Sequence, residues 1–119
     1  MKKFMFLLVC LALIALPLSA KQTFLPFPKA NDNYWRKQIP RSMRMDYIRL
    51  GHSYLGKPWT AIPDSIFAQF KHNGNRTGYE AMSFGVRRQF SCLVMAEIME
   101  HKGRFLPAIC QGLHYFIEK

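Results

Sequence analysis

A chain of 119 residues with 17 Lys and Arg against 7 Asp and Glu carries a net charge of +10, and half of its residues are hydrophobic. That length allows one small core and excludes a large multidomain enzyme. The cationic balance selects acidic partners, namely nucleic acid, anionic lipid or anionic polysaccharide.

Residues 1–20 read as an export signal. Met1-Lys2-Lys3 is a basic start, residues 4–16 form an apolar helical core, and Pro17-Leu18-Ser19-Ala20 makes a cleavage end. The core is too short to span a bilayer comfortably. Val9 ahead of Cys10 fits a lipoprotein signal poorly, so no lipid anchor is expected. The expected location is periplasmic or secreted, with no membrane span after cleavage. Export makes nucleic acid the least fitting of the three partners, and none is expected.

Residues 21–40 read as an irregular arm. Pro26 and Pro28 block regular structure, and Asn31-Asp32-Asn33 is a turn cluster. Tyr34 and Trp35 are better suited to pinning the arm to the body than to holding a ligand, because aromatic side chains carry the largest burial gain.

A first helix is expected over residues 42–55. Ser42 is a candidate N-cap behind Pro40, and Met43, Tyr47, Leu50 and Tyr54 form one stripe at i, i+4, i+7 and i+11. Gly56 followed by Lys57-Pro58 stops it. A short helix over residues 64–72 follows, with Asp64 able to cap it and Ile66, Phe67 and Phe70 as its buried side. Gly74 ends it.

The most informative stretch is 71–105. A polar turn, 71–78, leads into a long helix expected over 79–101, weakened near its start by Gly85 and closed by Gly103. Between positions 90 and 99 apolar residues occupy almost every azimuth, interrupted by Ser91 and Glu97. A helix apolar on nearly all sides sits inside a bundle or in a membrane. Arg87, Arg88, Glu97 and Glu100 exclude the membrane, so an inner helix is expected. Pro107 suits the first turn of a last helix, with Ile109, Leu113 and Phe116 as its stripe. Strand alternation and repeats are lacking, which makes the chain all-α.

Candidate chemistry is sparse. Asn75 and Arg76 precede the long helix, whose first amides favour anions, and an arginine fork suits a carboxylate or sulfate. They are the candidate substrate-binding residues. The competing arrangement has Asn75 closing the turn and Arg76 paired with Glu80. Glu97, set in an apolar helix, requires a partner, and an arginine is expected. Glu97 and His101 share a face, but lack a second ligand pair, so no metal site is assigned. After signal removal Cys92 and Cys110 remain, either as a disulfide or as two buried thiols. Neither has an identifiable base beside it, and no catalytic residue or cofactor is assigned.

A group of short motifs resembles the N-terminal part of heparinase II/III-like polysaccharide lyases. It comprises Tyr54-Leu55-Gly56-Lys57-Pro58-Trp59, Ile62-Pro63, Phe70-Lys71-His72-Asn73-Gly74-Asn75-Arg76 and Tyr79-Glu80. Arg87-Arg88, Leu93-Val94-Met95-Ala96-Glu97, Lys102-Gly103-Arg104-Phe105 and Gly112 continue it, from Tyr34 onward. The resemblance implies helical hairpins forming the first part of an (α/α) toroid over 41–119, an incomplete domain. It also implies β-elimination on uronic-acid polysaccharide such as heparin, heparan sulfate or alginate. The family's catalytic histidine and tyrosine lie beyond the reach of this chain, so an N-terminal, catalytically silent fragment is expected, with the remainder of a lyase chain as its partner. The alternative is a small exported helical module that binds anionic polysaccharide or a membrane surface.

Overall fold

The computed structural model describes residues 26–118, and among them it contains five helices and no strand. These are α1 (Tyr34–Lys37), α2 (Arg41–Tyr54), α3 (Asp64–Asn73), α4 (Thr77–Glu100) and α5 (Leu106–Ile117). The signal segment 1–20 and the first residues of the arm lie outside the described residues. The all-α expectation holds. No described helix is long and apolar enough to cross a membrane.

The arm is not wholly irregular, because Asn31-Asp32-Asn33 initiates the single turn of α1. The Asp32 carboxylate accepts the Tyr34 N–H at 2.8 Å. Trp35 is buried, its ring 5.3 Å from that of Phe27, and its indole N–H donates to the Lys29 carbonyl at 2.9 Å. Trp35 thus folds the arm on itself at Phe27 and Lys29, α1 packs on α4, and Tyr34 stays half exposed.

Helix α4 organises the remainder, since every other helix packs on it. Its buried positions are Ser83, Val86, Gln89, Cys92, Leu93, Ala96, Glu97 and Met99, a stripe at three- and four-residue steps. Phe84, Arg87, Arg88 and Ser91 occupy its exposed side. The helix begins at Thr77, two residues before the expected start, because the Asn75 side chain accepts the Thr77 N–H at 3.1 Å. It ends at Glu100, with His101 in the left-handed region (φ 54°) and its N–H on the Glu97 carbonyl.

Helix α2 starts at Arg41 behind Pro40, whose extended backbone (ψ 143°) occupies the N-cap position. Ser42 lies inside the helix and caps nothing. The expected stripe holds only in part: Tyr54 packs against the core and Tyr47 is half-buried, but Met43 and Leu50 are half exposed, and Ile48, Gly51 and Leu55 turn inward instead. The cause is Gly51. A Cβ there would overlap the Ala96 methyl and come within 3.1 Å of the Phe105 ring, so the backbones of α2 and α4 approach where glycine meets alanine. Around this crossing Leu93, Ala96 and Phe105 are fully enclosed. Leu93 and Phe105 each contribute about 1.5–3 kcal/mol of burial.

The turn from α4 into α5 is closed by Glu97, and its partner is not an arginine. Its Oε1 accepts the Gly103 N–H at 2.6 Å and its Oε2 accepts the Phe105 N–H at 3.1 Å. Gly103 supplies the positive φ (79°) that the reversal needs. From there α5 runs back along α4, with Pro107 in its first turn. The backbone at Gly112 approaches Phe90 and the Trp59 ring so closely that a Cβ would stand 2.6–2.7 Å from them. The Tyr115 hydroxyl donates to the Thr60 carbonyl at 2.9 Å. Leu113 and Phe116 of the expected stripe remain partly exposed, because Gly112 takes the central position.

Helix α3 is different. Pro63 precedes it, Asp64 sits in its first turn, and Gly74 (φ 71°) ends it. None of its residues is buried, and Phe67 and Phe70, expected inside, are 63% and 54% exposed.

Two outcomes test this packing. Gly51→Ala is expected to cost about 1–3 kcal/mol through overpacking, whereas Gly85→Ala, with open space at its Cβ, is expected to gain about 0.5–1 kcal/mol. Denaturant melts of the two variants against the parent chain read the difference directly. Glu97→Ala leaves the Gly103 and Phe105 amides without their acceptor and is expected to cost about 2–3 kcal/mol. The same substitution at exposed Glu118 should leave the midpoint unchanged.

Candidate functional site

The candidate residues Asn75 and Arg76 sit in the turn between α3 and α4. Two side chains organise that turn: Asn73 Oδ1 accepts the Asn75 N–H at 2.9 Å, and Asn75 Oδ1 in turn accepts the Thr77 N–H. Both are short-range Asx bonds, which the spacing of Asn73, Asn75 and Thr77 makes possible. Asn75 therefore has its carbonyl oxygen engaged by the backbone, while the residue itself is exposed.

Arg76 pairs with Glu80 one helical turn on, Nη2 to Oε1 at 2.9 Å. The two side chains are 68% and 38% exposed, so water competes with both partners and the pair is worth only a fraction of a kilocalorie. An incoming anion can take the guanidinium from Glu80 at small cost. The turn thus holds its shape through Asn73 and Asn75 and presents a cation that is weakly committed.

Beneath the turn, α3 and the first half of α4 diverge around an open cleft of about 420 Å³. Its lining includes Phe67 and Phe70 from α3, and Arg76, Tyr79, Phe84 and Arg87 from α4 and the turn. Tyr79 meets Phe67 edge-on at 5.6 Å, and that ring contact is one of the few links between the two helices. Arg87 makes no ion pair or hydrogen bond among the described residues, whereas Arg76 is balanced by Glu80. Reading Phe67 and Phe70 as core concealed this cleft. The usable signal was Tyr79, Ser83 and Arg87, which recur at four-residue steps and place an arginine on the same face as an aromatic ring.

The other candidates are separated from this region. Glu97 has both carboxylate oxygens on backbone amides and is committed to the α4–α5 turn. The described residues contain no cluster of three or more His, Cys, Asp or Glu able to hold a metal. Beside Glu97, Glu100 accepts Arg104 Nε at 2.7 Å. That bond, opposed by burial, holds its carboxyl below the usual carboxylate range, and it raises Arg104 further.

Among the described residues Cys92 and Cys110 are both free, so the disulfide alternative does not apply, and only the Cys92 thiol is buried. Burial pushes the Cys92 thiol up, with the Arg88 charge acting in the opposite direction. Cys110 lies on the exposed side of α5. A protonated, enclosed thiol is unreactive. In a chain lacking residues 1–20, and so lacking Cys10, a chromogenic disulfide reagent should therefore modify Cys110 promptly in the folded state and Cys92 only on unfolding, and one fast and one slow equivalent is the expected trace.

No family model matches the sequence, and no curated protein matches it significantly.

Proposed function

We propose that this chain supplies the opening helices of an (α/α) toroid of the heparinase II/III-like lyase kind, and that its own contribution is to hold anionic, uronate-containing polysaccharide rather than to cleave it. The observation that carries the reading is Arg76, exposed in a turn of fixed shape and held only by a solvent-screened pair with Glu80. A guanidinium in that state offers a two-pronged donor to a carboxylate or sulfate at little exchange cost. The motifs quoted for the resemblance support it further, since they run from the end of α2 through α5. The net charge of +10 draws a polyanion toward the chain in any orientation.

In β-elimination an enzyme neutralises the uronate carboxylate, which acidifies the neighbouring C5 proton, and a base then removes it. Arg76 suits the first of those tasks. No residue in this chain is assigned the second, so a chain of these residues alone binds without turnover. The remainder of a lyase would bring the base.

Retention of the purified chain on immobilised heparin and on immobilised alginate tests the proposal. Arg76→Ala should elute at clearly lower salt than Arg41→Ala, an equal loss of charge on exposed α2. Equal shifts for the two variants would reduce the interaction to net charge and remove the turn from the site. Appearance of unsaturated uronate on incubation with either polysaccharide would overturn the statement that the chain is silent. Failure of both columns to retain the chain would remove the polysaccharide altogether.

A further inference from the structure

Four aromatic rings and one cation without an ion pair line the cleft between α3 and α4, and polysaccharide binding at the turn leaves that combination unused. The walls carry exposed apolar rings, with Phe67, Phe70 and Phe84 each more than half exposed. Exposed phenylalanines concentrated on two facing helices mark a binding surface rather than the scattered apolar exposure of an ordinary surface. The volume of about 420 Å³ lies toward the lower end of the small-molecule range of roughly 300–1,000 Å³. The ionic side chains of the lining are Arg76, Glu80 and Arg87. Arg76 and Glu80 neutralise each other, which leaves the single charge of Arg87.

We propose that this cleft binds a monoanionic amphiphile, an alkyl chain ending in one carboxylate. The chain lies between the phenylalanines of α3 and Phe84 of α4, and the carboxylate meets the Arg87 guanidinium. Charge complementarity selects this occupant. A cationic amphiphile would place like charges together, and a neutral one would leave the Arg87 charge without a counter-ion.

The state of α3 agrees with such an occupant. This helix has no buried residue and touches α4 chiefly through Ile66 and Gln69 near Gly78 and through the Phe67–Tyr79 edge contact. An apolar body inserted beside those contacts would give α3 the buried side it lacks. Binding is therefore coupled to the order of α3. The inference does not rest on the polysaccharide reading: its selectivity is assigned to Arg87 and its apolar wall to Phe84, with Arg76 at the rim shared by both readings.

The test is calorimetric titration of the purified full-length chain with decanoate and with decyltrimethylammonium, both below micelle formation. Decanoate should bind at one site and at least about tenfold more tightly than the cation, as expected for a charge-assisted bond. Arg87→Gln should abolish that preference, whereas Arg88→Gln, the same charge change on the neighbouring residue outside the cleft, should retain it. Phe84→Ala, at a half-exposed position that folding does not depend on, should weaken both ligands alike. Glu80→Gln frees Arg76 and should tighten decanoate by a few-fold. Amide hydrogen exchange should slow across Asp64–Asn73 when decanoate is bound and stay unchanged in α5.

Equal affinity for the two amphiphiles would overturn the proposal. So would an Arg88→Gln effect as large as that of Arg87→Gln, or protection located outside α3. Heparin or alginate retention lost in Arg76→Ala but kept in Arg87→Gln would show that the two sites are separate, and the amphiphile result would stand or fall independently of it.

Discussion

The structure depends on a carboxylate that faces inward. Glu97 lies among Leu93, Ala96 and Met99 on the buried stripe of α4, where an unpaired charge would be very costly. It is tolerated because two backbone amides of the following turn, at Gly103 and Phe105, converge on it. The same two bonds decide where α5 begins, since the N–H groups ahead of a helix need acceptors and α5 has no side-chain cap of its own. With the turn fixed, Phe105 falls onto Ala96 and against the ring of His52 at 5.2 Å, which closes α2 over both. Glu100 and Arg104 clasp the outside of that turn. Because the Glu100 carboxyl is held below its ordinary range, its contribution is complete at neutral pH and is lost as the pH falls through the depressed value.

That dependence explains which parts of the fold were legible in the residues alone. Gly56, Gly74 and Pro107 act through their own backbone preferences, and each stands where its chemistry places it. The partner of Glu97 was not legible, because backbone amides leave no mark in the residue types and an arginine is the more familiar companion of a buried acid. The face of α2 was misplaced for a related reason. Counting large apolar residues favours Met43 and Leu50, whereas the crossing with α4 is governed by the absence of a side chain at Gly51. The same holds at Gly112, where the void is filled by Trp59 and Phe90. Close helix approach is set by the smallest residue in the stripe, and a stripe search looks for the largest.

The candidate site was half legible. The turn chemistry of Asn73, Asn75 and Thr77 is local, and so is the four-residue spacing that pairs Arg76 with Glu80. The cleft beneath it is not local. It exists because α3 stays away from α4 and leaves Phe67 and Phe70 outside, an outcome that the apolar character of those side chains argues against.

The molecule is consequently asymmetric along α4. Its second half is enclosed by α2 and α5, with Leu93, Ala96 and Phe105 out of solvent and the turn locked by Glu97. Its first half carries an exposed cation, an aromatic cleft and a helix with no buried residue. Rigidity at one end gives the other a fixed base: Tyr79, Ser83 and Arg87 keep their relative positions because they belong to the same continuous helix that the core holds. The cleft lies outside the core, since α3 contributes nothing to it. Apolar and cationic groups that would destabilise the packed end are tolerated at the open one, and the proposed recognition of an anion is assigned there for that reason.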